Sequence, residues 1–162
     1  MPARKAFDKA DYIQKSQNNP CFICEMLEGR RPHHIVYQDD IAVAFLCRYP
    51  SQVGYVLVAP IAHLEHVTGD FTPDAYLELQ SVIHRVGEAV RKTVPCERLY
   101  LLSLGSMQGN RHVHWHIVPC PPGTPYEQQQ WNAVTIEDGY LDIPDAEMAD
   151  LAVRIRATME DA

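Results

Sequence analysis

The chain has 162 residues, 46% hydrophobic and 22% charged, with 14 Lys+Arg against 21 Asp+Glu and a formal net charge of -7. That length fits one core of ordinary size, and the apolar content is too high for intrinsic disorder. The acidic balance disfavours a grip on nucleic-acid backbone, no apolar run nears the roughly 18 residues that span a bilayer, and Met1-Pro-Ala-Arg-Lys lacks the apolar stretch of a signal peptide. A cytoplasmic protein with neither nucleic acid nor membrane as partner is expected.

Residues 1–19 are polar, with Phe7, Tyr12 and Ile13 as scattered anchors, and read as an irregular arm or short helix outside the core. Cys21-Phe-Ile-Cys24 follows. Five cysteines is an odd count, so a disulfide framework is not expected and the close pair points to metal or redox chemistry. A thioredoxin-like motif would need a preceding strand, which Asn18-Asn19-Pro20 does not supply; a buried thiol pair is the blander reading. Cys47, Cys96 and Cys120 read as small apolar residues.

Strands are predicted over 34–38, 41–47 and 55–59, the first two joined by a tight turn at Asp39-Asp40 and the last two by a longer one at 49–54. Thr72-Pro73-Asp74 has the form of an N-cap, a first-turn proline and an acidic first turn. Leu79, Val82, Ile83, Val86 and Val90 then recur at helical period, and Arg91-Lys92 and Pro95 end the helix. Two further strands, 98–103 and 112–118, flank the glycine-containing loop 104–111. The order β-β-β-α-β-β implies an α+β domain with a five-stranded antiparallel sheet and one long packed helix. A Pro/Gly-rich stretch leads from Pro119 to Tyr126–Trp131, and a C-terminal helix from about Pro144 carries the stripe Met148, Leu151, Ala152 and Ile155.

In His112-Val-His-Trp-His-Ile-Val, strand alternation sends three histidines to one face and Val113, Trp115 and Ile117 to the other. A strand bearing surface histidines is the bland alternative, but it does not explain the glycine-rich polar loop before it. Same-face neighbours about 7 Å apart suit contacts along an extended anion. A neutral imidazole whose second nitrogen is held protonated is also a nucleophile toward phosphorus. The row is therefore a candidate phosphoryl site.

This segment resembles the histidine triad signature, His-φ-His-φ-His-φ-φ with φ apolar, at every position. The resemblance extends over residues 20–120 through the Cys-x-x-Cys start, Ala44-Phe45-Leu46, Gly54-Tyr-Val-Leu-Val-Ala-Pro60 with His63 after it, and the long helix. It divides the chain into an arm (1–19), a histidine-triad-like domain (20–120) and an extension with a helix packed on the same domain (121–162). It implies a nucleotide hydrolase or transferase acting at the α-phosphate of dinucleoside polyphosphates or nucleoside phosphoramidates through a covalent nucleotidyl-histidine. On that reading His114 attacks phosphorus, His116 contacts a phosphate oxygen, and His112 supports the site. Ser103, Ser106, Gln108 and Asn110, with the N–H groups of Gly105 and Gly109, are the expected donors to phosphate or leaving group. His116, where the uridylyltransferase branch carries glutamine, places the chain on the hydrolase side.

In family members with the cysteine pair, a zinc tetrahedron is completed by two histidines, here His63 and His112, giving a closed structural site with Cys21 and Cys24. His66 competes with His63, while His33, His34 and His84 read as surface residues. The resemblance also implies a homodimer formed through the long helix and an edge strand. The chain departs from the family pattern in four places. Cys47 and then Arg48 stand where an Asp or Asn binds ribose, Gly54-Tyr55 replaces a frequent Gly-His, Ile61 replaces a basic residue, and Cys120 replaces an Arg. A second reading is thus a zinc-stabilised nucleotide-binding or interaction module with little turnover. A third, metal handling by the row itself, is disfavoured because such histidines do not converge on one ion. The segment 126–131 either reaches over the site or packs as a surface tail.

Overall fold

The runs Ala42-Val-Ala-Phe-Leu46 and Val56-Leu-Val-Ala-Pro60 are apolar throughout, a pattern that suits strands covered on both faces. In the computed structural model, which describes residues 2–161, every residue of both runs is buried. The elements in chain order are β1 (Arg4–Lys5), α1 (Lys9–Asn18), α2 (Phe22–Leu27), β2 (Ile35–Gln38), β3 (Ala42–Leu46), β4 (Val56–Pro60), α3 (Pro73–Thr93), β5 (Arg98–Ser103) and β6 (Trp115–Cys120). A 3₁₀ turn at Tyr126–Gln128, α4 (Trp131–Val134), β7 (Tyr140–Leu141) and α5 (Asp145–Glu160) complete the fold. Among the described residues no helix is long and apolar enough to cross a membrane.

The main sheet has five antiparallel strands in the order β2-β3-β4-β6-β5. Asp39 closes the β2–β3 hairpin by accepting from the amides of Ile41 and Ala42. On one face, Val56, Val58, Trp115 and Ile117 meet the stripe of α3, with Met148, Leu151, Ala152 and Ile155 of α5 in the same core. On the other, Val43, Phe45, Tyr55 and Leu57 meet Ile23 and Met26 of α2 and Val134 of α4. Thr72 caps α3 as its spacing predicts, its hydroxyl accepting from the Ala75 amide.

Of the two readings of the arm, the short helix holds: α1, whose N-cap Asp8 accepts from the Asp11 amide, buries no residue fully and lies against the loop before the histidines. One expectation is corrected. The final strand starts at Trp115, not His112, because the lead-in leaves the ladder: the Val113 amide donates to Leu64 O at 2.7 Å, in the loop after β4. Alternation nevertheless persists, since Val113 joins Trp115 and Ile117 in the α3-facing core.

Ile83→Ala, at the centre of the α3 stripe, is expected to cost about 3 kcal/mol. Leu77→Ala, on the same helix but 65% exposed, is expected to stay within about 0.5 kcal/mol. Urea unfolding of both variants checks whether the α3–sheet interface carries the core.

Candidate active site

Cys21 caps α2, and its Sγ accepts from the Cys24 amide at 3.5 Å, so the two-residue spacing brings the second thiol round one turn to the same side. The loop after β4 adds His63 and the lead-in to β6 adds His112. One ligand atom from each of these four residues lies within 4.8 Å of all the others. Cys21 Sγ is 3.5 Å from His112 Nδ1, and Cys24 Sγ is 3.3 Å from His63 Nδ1 and 3.6 Å from His112 Nδ1. Bond lengths of about 2.3 Å to sulfur and about 2.0 Å to nitrogen in a tetrahedron require edges near 3.5 Å, so the donor set fits a zinc ion without rearrangement. The outer nitrogens are held as well: His112 Nε2 donates to Pro60 O at 2.8 Å, and His63 Nε2 lies 3.1 Å from Glu65 Oε1. His66 lies outside the cluster, exposed, with its amide bonded to Asp70.

His112 serves a second purpose through its main chain. Its carbonyl accepts from Nδ1 of His114 at 2.8 Å, and a carbonyl can only accept, so His114 carries its proton on Nδ1 and a lone pair on Nε2. The Ser103 hydroxyl donates to the His114 carbonyl at 2.7 Å and fixes the backbone beneath the ring. His116 follows within β6, paired between Leu57 and Leu102. The His114 and His116 rings lean together to 4.9 Å between centroids, closer than the expected same-face spacing. Burial pushes His112 down to about 4 and His116 down to about 3, and lowers His114 as well, so the row is neutral at pH 7.

The loop 104–111 turns back on itself through paired amides and carbonyls of Ser106 and Gly109. Gly105 has φ +103°, and a Cβ there would lie 2.8 Å from Asn110 O and 3.4 Å from His114 Cε1, so glycine lets the loop close on the ring. Ser106 and Gln108 are exposed, with the Ser106 hydroxyl accepting from the Gln108 amide. Asn110 adopts φ +54°, and its Nδ2 donates to the hydroxyl of Tyr12 on α1 at 2.7 Å. Gly109 admits Ser16 of the same helix, whose carbonyl would lie 3.2 Å from a Cβ there.

Cys47 is pushed up to about 12 by burial and is a neutral thiol, while Arg48 is exposed beside it. His33, expected at the surface, instead bonds Leu46 O and packs on Phe22 and Phe45, with burial pushing it down to about 4. Gln129, Gln130 and Trp131 line a groove of 770 Å³ along β5. Three contributors were not singled out as site residues from the sequence: Tyr12, Tyr55 and Glu65. Tyr55 was visible as a departure from the Gly-His pattern; the other two carried no signal.

A HIT domain family model matches residues 28–122. The chain is similar to an uncharacterised HIT-like protein of Saccharolobus solfataricus, 33% identical over 102 residues that span 61% of this chain and 73% of that one. Among solved structures it is similar to a hypothetical histidine triad nucleotide-binding protein of Sulfolobus tokodaii, with TM-score 0.71, 25% identity and coverage of 87% and 93% of the two chains. It also shares the fold of a zinc-bound histidine triad family protein of Mycobacterium smegmatis, with TM-score 0.69, 21% identity and coverage of 87% and 94%.

The neutral buried histidines set a pH dependence. In the unfolded chain they take up protons near pH 6.5, whereas in the folded chain His33 does so only near 4 and His116 near 3. The unfolded state therefore binds more protons between those limits, and stability is full above pH 6.5 and is lost as pH falls through the window. The urea midpoint is expected to drop between pH 7 and 4, less steeply in His116→Gln; equal slopes would assign the loss to other groups.

Proposed function

The chain belongs to the histidine triad (HIT) family, and from that membership we propose that it is a nucleotide hydrolase or transferase that cleaves at the α-phosphate of dinucleoside polyphosphates or nucleoside phosphoramidates. The observation that carries this reading is His114: Nδ1–H bonded to the His112 carbonyl, and Nε2 without a hydrogen-bond partner among the described residues. That is the tautomer of a nucleophile.

In the first step Nε2 bonds to the α-phosphorus as the bond from phosphorus to the leaving group breaks. The ring gains positive charge as it does so, and the His112 carbonyl opposite Nδ1–H stabilises that charge because it is already oriented. In the second step water attacks phosphorus, the P–N bond breaks and nucleoside monophosphate leaves. His116 faces a phosphate oxygen. The exposed loop supplies the Gly105 and Gly109 amides, Ser106 and Gln108, while Ser103 and Asn110 act by holding the backbone of His114 and the arm. Arg48 is the cation nearest the ribose position in sequence.

Cys21, Cys24, His63 and His112 hold a structural zinc ion, in keeping with their donor geometry and with the zinc-bound relative. When bound, the ion cross-links α2, the loop after β4 and the lead-in to β6. Five free cysteines suit a reducing, cytoplasmic compartment. The family's homodimer suits the uncovered β5 edge, where Leu101 is 54% exposed.

The test is intact-protein mass spectrometry under acid-free quench with an adenosine phosphoramidate and a diadenosine polyphosphate, with AMP followed in parallel. Wild type is expected to show a nucleotidyl adduct and AMP, and His114→Ala neither, with turnover down more than about 10³-fold. Nucleotide binding without adduct or AMP from wild type would favour the binding-module reading, which the neutral Cys47 thiol at the ribose position supports.

Zinc is tested by metal content. One ion per chain is expected in wild type and His66→Ala, and loss in Cys24→Ser. Chelation is expected to lower the melting temperature of wild type by several degrees, since binding free energy adds to folding free energy; an unchanged melting temperature would remove the ion from the structural account.

A further inference from the structure

Tyr55, immediately before β4, is buried on the sheet face that carries His116. Its hydroxyl lies 2.6 Å from His116 Nδ1, and the rings meet edge-on at 5.7 Å between centroids. Across the imidazole, His116 Nε2 is buried and has no partner among the described residues. Buried polar atoms are nearly always paired, so an orphan on a ring 4.9 Å from that of His114 calls for a partner, which a ligand atom would supply.

The direction of the Tyr55–His116 bond decides what that orphan is. A phenol O–H is a stronger proton donor than an imidazole N–H, and Nδ1 is a better acceptor than a phenol oxygen. The reverse bond would also leave the Tyr55 hydrogen without an acceptor among the described residues, since the hydroxyl makes no other bond. A neutral ring accepting at Nδ1 carries its proton at Nε2.

We infer that Tyr55 is a positioning residue that locks His116 in the Nε2–H tautomer, so that this ring offers one neutral hydrogen-bond donor to a non-bridging oxygen of the substrate's phosphoryl group. The phosphoryl partner rests on the function proposed above; the tautomer does not. Two histidines with rings 4.9 Å apart thereby hold opposite tautomers. His114 faces a carbonyl at Nδ1 and keeps a lone pair at Nε2, whereas His116 faces a hydroxyl at Nδ1 and keeps a proton at Nε2. One nitrogen is made to attack phosphorus and the other to grip an oxygen on it. Burial keeps His116 unprotonated and raises Tyr55 far above the phenol range, so the arrangement holds across neutral pH.

Long-range ¹H–¹⁵N spectra of the full, metal-loaded chain with labelled histidine read the tautomers directly. At pH 7 wild-type His116 is expected to show a protonated Nε2 and an accepting Nδ1; a protonated Nδ1 there overturns the inference without any variant. In Tyr55→Phe, which keeps the packed ring, both His116 nitrogens are expected to move toward averaged shifts while the His114 Nδ1–H signal stays. AMP release from an adenosine phosphoramidate is expected to lose about tenfold in kcat with KM within about twofold. An unmoved His116 tautomer in Tyr55→Phe overturns the lock. A moved tautomer with unchanged kcat overturns its part in the reaction. If wild type turns over no nucleotide, the proposed activity fails on its own, and the spectra still decide whether Tyr55 sets the ring.

Discussion

His112 is bonded at three points, and the site hangs from it. Its Nδ1 faces the two cysteines, its Nε2–H is held by the Pro60 carbonyl, and its own carbonyl takes the Nδ1–H of His114. Each bond constrains the next. The ring cannot turn without leaving the cysteine cluster, and the peptide cannot turn without releasing the tautomer of His114. The Cys/His cluster is thus tied to the ring of His114 through the orientation of one peptide group.

The two sheet faces divide the labour. Val113, Trp115 and Ile117 anchor the row in the α3-facing core, where Trp115 packs edge-on against Phe71 and Tyr76. With those positions fixed, alternation leaves the histidines no choice of face. The opposite face packs against the short helices α2 and α4, and the histidine rings are desolvated. Desolvation keeps all three imidazoles neutral at pH 7.

The arm and the extension, at opposite ends of the chain, meet each other, and the arm reaches the loop 104–111. β1 pairs with β7, Arg4 donates to the carbonyls of Gly139 and Ser51, and Phe7, Tyr12, Tyr49 and Tyr140 form one aromatic cluster. Through it Tyr12 reaches Asn110. The extension is therefore linked to the loop by contacts through the arm, while Gln129, Gln130 and Trp131 lie along β5. The α5 stripe adds to the main core, and Arg156 donates to Ile35 O, tying the C-terminal helix to the edge strand β2.

Much of this was legible in the residues themselves. Local patterns determined the long helix and its caps, the apolar strands, the hairpin at Asp39 and the facing of the histidine row, because each depends on neighbours a few positions away. The triad signature and cysteine spacing carried the family and the cluster. The choice of His63 over His66 waited on tertiary structure, because loop geometry after β4 decides which imidazole reaches Cys24 at 3.3 Å. The true start of β6 waited on the Leu64 carbonyl, 49 residues earlier in the chain. The tautomers of His114 and His116 waited likewise, since sequence names an imidazole but only the atom opposite each nitrogen says where its proton sits.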